Sequence, residues 1–165
     1  MTTSSSPSTD RRQEVRDAVD RYTDLRVRID DGQAAWPDLA DLFTDDAIYI
    51  DPAWGRVEGV DNIRTFIAES MQGLDDWTFP VTFTAIEGDD VVIKWTQRTP
   101  GRRPDGTPYE QSGYSRLIYG GGGKFRYEED LLNMTHVLED LSASGWRPGA
   151  GFNMPPAEPI RDFSG

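Results

Sequence analysis

Apolar residues recur along this chain first at helical and then at strand spacing. Val15, Val19, Tyr22, Leu25 and Ile29 follow one another at three- and four-residue steps, which predicts a helix with one buried stripe. Asp10 with Gln13 makes a capping pair at its start, and Gly32 supplies a stop. Pro37 suits the first turn of a short helix carrying Leu39, Leu42 and Phe43. Ala47 to Asp51 reads as a strand that ends at an Asp-Pro step. "VEGVDNIRTFIAESMQG" then returns to helical spacing, with Asp61 as the expected cap, Ile63, Phe66, Ile67 and Met71 inward, and Gly73 as the end.

After Gly73 the period becomes two. "WTFPVTFTAI" places Trp77, Phe79, Val81, Phe83 and Ala85 on one face, with Pro80 marking an edge or a bulge. "EGDD" is a hairpin turn into the strand "VVIKWTQR", and "TPGRRPDGTP" reads as a long loop. "YEQSGYSRLIY" and "KFRYEEDLL" are two further strands joined by Gly120 to Gly123. A last helix from Asn133 carries Met134, Val137, Leu138 and Leu141. Residues 1–9, rich in Ser and Thr, are expected to be a disordered leader. The domain then spans 10–142, and 143–165 form a Gly/Pro-rich tail. Helices followed by a strand meander predict an α+β domain, a curved antiparallel sheet wrapped around the N-terminal helices. Such a sheet leaves a cavity of the kind that takes small apolar ligands.

Composition narrows the chemistry. The net charge of -12 repels phosphate backbones and anionic lipid, so neither nucleic acid nor a membrane surface is an expected partner. With no cysteine, disulfides, thiolate nucleophiles and Cys-based zinc sites are excluded. The single histidine, His136, falls off the stripe of the last helix and reads as a surface residue. The start has no basic segment or apolar run of a secretory signal, so the expected compartment is the cytoplasm. The glycine run lacks the Lys-Ser/Thr and the strand-to-helix context of a phosphate loop. No cofactor or metal is expected.

The most specific stretch is "LFTDDAIYIDPAWGRVEGVDNIRTFI": a short helix, a strand ending in Asp-Pro, a Gly turn and a capped helix. With the element order, it resembles the nuclear transport factor 2-like superfamily, which includes SnoaL-type polyketide cyclases, ketosteroid isomerases, scytalone dehydratase and limonene epoxide hydrolase. The resemblance covers roughly residues 10 to 142. In the isomerases the aspartate of the equivalent Asp-Pro pair shuttles a proton, and Asp51 falls on it. Tyr22 falls near their oxyanion-donating tyrosine. Their second donor, a protonated aspartate, is replaced here by Tyr114 or Ser115. In the epoxide hydrolase overlay, Tyr49 and Asp51 match a water-holding Tyr-x-Asn pair and Asp130 a catalytic acid, while "KWTQRTPG" lacks the Arg-x-Asp pair.

Each candidate also has a plainer reading. Asp-Pro is an ordinary turn starter, but Ala47, Tyr49 and Asp51 share one face, and a carboxylate among aromatics has its pKa raised toward neutrality. Tyr22 lies on the core stripe. Glu128 and Asp130 alternate opposite Phe125, Tyr127 and Leu131, so either pair of faces can be inward; the plainer reading leaves Glu128 solvated. Trp54 can cover the mouth of the pocket, and Phe79 and Phe83 can wall it. The expectation is a cofactor-independent acid-base enzyme on a small hydrophobic metabolite, with Asp51, Tyr22 and Asp130 catalytic and Tyr49, Trp54, Tyr114, Phe79 and Phe83 binding substrate. Epoxide-hydrolase-like water activation and a non-catalytic binding or dimerisation domain are the alternatives. The exposed sheet face is the expected homodimer surface.

Overall fold

A computed structural model describes residues 7–165. The expected leader lies outside the described residues as far as residue 6, whereas residues 7–9 already belong to helix α1, Pro7–Asp30. A 3₁₀ helix, Trp36–Leu42, follows, and then β1, Phe43–Asp51. Phe43 thus opens the strand rather than closing the short helix. The remaining elements are β2 (Gly55–Glu58), α2 (Val60–Met71), β3 (Val81–Glu87), β4 (Asp90–Arg102), β5 (Pro108–Gly121), β6 (Lys124–Leu132) and α3 (Met134–Ser144). Strand β2 was not anticipated: residues 55–58 pair back onto β1 before the helix begins. Gly59, at φ 85, is the N-cap of α2, so Asp61 sits in the first turn, where its charge suits the helix dipole, instead of capping. The loop expected over "TPGRRPDGTP" is a tight turn, because β4 and β5 run on to pair Arg102 with Pro108.

The six strands form one sheet in the order β2-β1-β6-β5-β4-β3. All neighbours are antiparallel except β1 and β6, which run parallel and join the N-terminal hairpin to the meander. Helices α1 and α2 lie in the hollow of the sheet. Val15, Val19 and Tyr22 from α1 and Ile63 and Ile67 from α2 pack onto Val91, Ile93, Leu117 and Phe125. Among the described residues no helix is long and apolar enough to cross a membrane.

Two bulges decide which side chains reach the hollow. On β3, Val81 pairs with Trp95 but Phe83 pairs with Lys94, so Thr82 is an extra residue and the alternation flips there. On β6, register breaks near Tyr119 let both Phe125 and Glu128 point inward, although their spacing is odd. Opposite Trp95, β5 carries Gly113, whose missing Cβ leaves room for the indole; its ring N–H donates to Ser115 Oγ at 2.9 Å. Gly113→Ala drives a methyl into that ring. It is expected to cost about 1–3 kcal/mol in thermal denaturation, and an unchanged midpoint would show that Trp95 has room to move.

Candidate functional site

The hollow between the sheet and the helices is only partly filled. A cavity of about 360 Å³ remains at the end where β1 and β6 finish. Its walls are mainly apolar, among them Trp36, Trp54, Phe66, Trp77, Phe79 and Leu132. Helix α3 contributes Met134, Val137 and Leu141, and the tail contributes Phe152, Met154 and Pro155. The tail has no helix or strand after Ser144, yet it is tied down along its length. Gly149 N–H donates to Gly73 O, Asn153 Nδ2 to Glu69 O, Arg161 to Pro52 O, and Arg56 N–H to Ile160 O. Four polar or charged side chains also line this cavity wall near the sheet: Asp51, Asp130, Arg26 and Gln97.

Asp51 both starts a turn and lines the cavity. Its Oδ1 accepts the backbone N–H groups of Ala53 and Trp54, each at 2.7 Å, which fixes the carboxylate at the strand end. Burial disfavours the charged form. It outweighs those two hydrogen bonds and, with the nearby Asp130 charge, pushes the Asp51 pKa up from 3.8 to about 6.

The parallel register pairs Tyr49 with Glu128 and Ile50 with Glu129, so one step further Asp51 comes beside Asp130. Asp130 accepts from Tyr49 OH at 2.6 Å and from Ser115 Oγ at 2.5 Å. Behind it lies Glu128, only 1% exposed, whose Oε1 accepts from Tyr22 OH at 2.7 Å and more weakly from Tyr49 OH at 3.4 Å. Burial and the Asp130 charge hold the Glu128 pKa well above the ordinary carboxyl range. Its Oε2 finds no donor among the described residues, which suits a protonated oxygen that donates toward Asp130. Glu128 and Asp130 therefore share one proton, held on Glu128, with the negative charge on Asp130. Burial beside these acids also keeps Tyr22 and Tyr49 as neutral phenols.

The positive partner of this system is Arg26, 5% exposed. Its Nη1 donates to Tyr22 O and its Nη2 to Phe79 O, both at 3.2 Å. The guanidinium lies 5.0 Å from the ring centre of Trp36 and 5.9 Å from that of Trp95. Sequence reasoning missed it. A signal was present, since Arg26 stands four residues after Tyr22 and three before Ile29, on the core stripe itself.

The expected site residues divide accordingly. Asp51, Asp130, Tyr49, Trp54 and Phe79 line the cavity together. Tyr22 is buried behind the wall, its hydroxyl committed to Glu128, so it reaches the cavity only through that acid. Glu128 is inward and fully buried, contrary to its solvated reading, because the β6 bulge turns it in. Phe83 and Tyr114 are corrections: they are 55% and 44% exposed on the outer sheet face. There the register aligns Phe83, Lys94, Tyr114 and Leu131 in a row, with Lys94 Nζ 5.3 Å from the Tyr114 ring centre. Ser115, the other candidate on that strand, faces inward. His136 is half-exposed, with Nε2 3.2 Å from the buried Asp140. Among the described residues no cluster of three or more His, Asp or Glu side chains is arranged to hold a metal ion.

The SnoaL-like domain family profile matches residues 19–125. No curated protein sequence matches the chain. Among solved structures, a putative SnoaL-like polyketide cyclase from Jannaschia sp. CCS1 superposes with a TM-score of 0.59 at 19% identity, covering 89% of this chain and all of that one. The epoxide hydrolase/cyclase-like enzyme SalBIII, of pyran ring formation in salinomycin, superposes at 0.57 with 16% identity over 76% of this chain and 95% of its own. TerC, co-crystallised with polyporic acid, superposes at 0.56 with 18% identity over 78% and 98%. At these identities the likeness is one of fold.

Proposed function

The chain belongs to the SnoaL-like domain family, and from that premise we propose that it is a cofactor-independent acid-base enzyme acting on a small, largely apolar ring compound. The reaction class is isomerisation or cyclisation of a carbonyl compound. Asp51 is the base: its carboxylate takes a proton from the carbon next to the carbonyl and returns it at a second position. Asp130, beside it and fed by Tyr49 and Ser115, holds the local charge and the orientation of the substrate. The observation that carries this reading is the placing of Asp51 in an apolar cavity, anchored through one oxygen by two backbone N–H groups. A base near the operating pH removes protons efficiently without being lost to protonation.

Deuterium uptake from D₂O into an enolisable bicyclic ketone such as 2-tetralone tests it, followed by NMR. Catalysed uptake should rise with pH to a plateau, with its midpoint near 6, as Asp51 becomes ionised. Uptake no faster than buffer, or a profile flat from pH 4 to 8, contradicts the reading.

A second reading has its own support. Tyr49, Asp130 and Asp51 stand together as a water-activating group would, which favours hydrolysis or ring closure of an epoxide. Oxygen from labelled water in the product separates the two. The outer row of Phe83, Tyr114 and Leu131 is proposed as the contact between two copies of the chain, which light scattering on the purified protein checks.

A further inference from the structure

The proton transfer proposed above uses Asp51 and leaves a buried cation unemployed. A guanidinium has five N–H donors. In Arg26, Nη1 and Nη2 each make one hydrogen bond, to a phenol and a backbone carbonyl, and Nε is buried with no acceptor among the described residues. Neither acceptor carries a charge. Desolvating a cation without a directly bonded anion is costly, so the site is built at a loss unless something else uses the charge. The groups that face Arg26 are Tyr22 and Asp30 from α1 and Glu128 and Asp130 from β6, and the two β6 acids carry one negative charge between them. Arg26 also lines the cavity, between Trp36 and Trp95.

We propose that Arg26 is the oxyanion-binding residue of this cavity, and that the substrates are planar ring compounds whose carbonyl oxygen is, or becomes, an enolate. The inference rests on the acid-base reading and names its substrate class. In the step, the Asp51 carboxylate bonds to the α-proton. The C–H electron pair becomes the C=C bond, and the carbonyl π pair moves onto oxygen. One negative charge leaves Asp51 and appears on that oxygen, so the net charge of the cavity is unchanged while its position shifts toward Arg26. This supplies the electrostatic stabilisation first sought in Tyr22, whose hydroxyl is committed elsewhere.

The test uses 2-hydroxy-1,4-naphthoquinone, an enolate near neutral pH, and its neutral 2-methoxy ether, with binding to the intact protein read by tryptophan quenching. Titrations are held just below pH 6, where Asp51 is mostly protonated. The enolate is expected to bind about tenfold tighter than the ether, as a charge-assisted hydrogen bond would give. Arg26→Met should bring the two within about twofold, and Arg26→Lys should keep part of the preference. Should Arg26→Met not fold, the wild type alone decides: the visible band of the quinone reports its ionisation, and the bound ligand should stay an enolate to about one pH unit lower than the free ligand. Equal affinities, a preference that survives Arg26→Met, a bound ligand that ionises later than the free one, or no binding of either compound overturns the proposal. If Asp51→Asn leaves deuterium uptake unchanged while the enolate preference stands, the acid-base reading fails and this one survives.

Discussion

Asp51→Asn should make the protein more stable at neutral pH and, in the same molecule, cut catalysed proton transfer by about 10²- to 10⁴-fold. The two effects share a cause. A rise in pKa from 3.8 to about 6 means that the folded state holds the Asp51 proton more tightly than the unfolded chain does. Folding therefore pays nothing for this group below pH 3.8. The penalty then grows as pH rises and is complete above 6, where it reaches at most about 3 kcal/mol. Asparagine removes the charge but keeps an oxygen for the N–H groups of Ala53 and Trp54, so the turn survives. Thermal denaturation across pH 4 to 8 should show wild type and variant converging at the acid end and diverging by about 1–3 kcal/mol above pH 6. A variant that is inactive and also destabilised at all pH values would mean that Asp51 is a structural turn residue and no more.

Glu128 offers the second large effect, and its direction depends on the replacement. Alanine at 128 removes the acceptor of Tyr22 OH and leaves a void under a fully buried side chain. The expected loss is about 3–5 kcal/mol, with a fall in melting temperature of about 10 °C. Glutamine keeps the volume, accepts from Tyr22 through its carbonyl and donates toward Asp130 through its amide. Because Glu128 is held protonated, this exchange of one neutral group for another should change stability at pH 7 by less than about 1 kcal/mol. The raised pKa also has a sign. Wild type loses stability as pH climbs through the folded-state pKa of Glu128, and the glutamine variant should lose less over that range. A glutamine variant as damaged as the alanine one would show that Glu128 is ionised and that its charge is needed.

Much of the architecture was legible because helix and strand spacing survive in a single sequence. The α1 stripe, the Asn133 start of α3 and the order of the meander follow from apolar periodicity. The face of a strand was not legible wherever a bulge intervened. Nothing at Thr82 announces an extra residue, so Phe83 was assigned inward with Phe79, and one flipped step carried it outside. The same effect hid Glu128, whose inward turn depends on pairing between β5 and β6 rather than on residues near it in the chain. Arg26 was hidden differently. Its spacing marked it as a core position, but an arginine is read as solvated until Trp36, Trp95, Tyr22 and Phe79, from four separate segments, are seen to enclose it. Asp51 was found because its signal was local: an acid closing a short apolar strand, followed by proline.

The proton affinity of Asp51 can be read directly from its side-chain carboxyl carbon by ¹³C NMR, assigned by comparison with Asp51→Asn. The folded protein should give a titration midpoint near pH 6, well above the ordinary 3.8. A midpoint at or below 3.8 would place this carboxylate in water and remove the basis for proton transfer in the cavity.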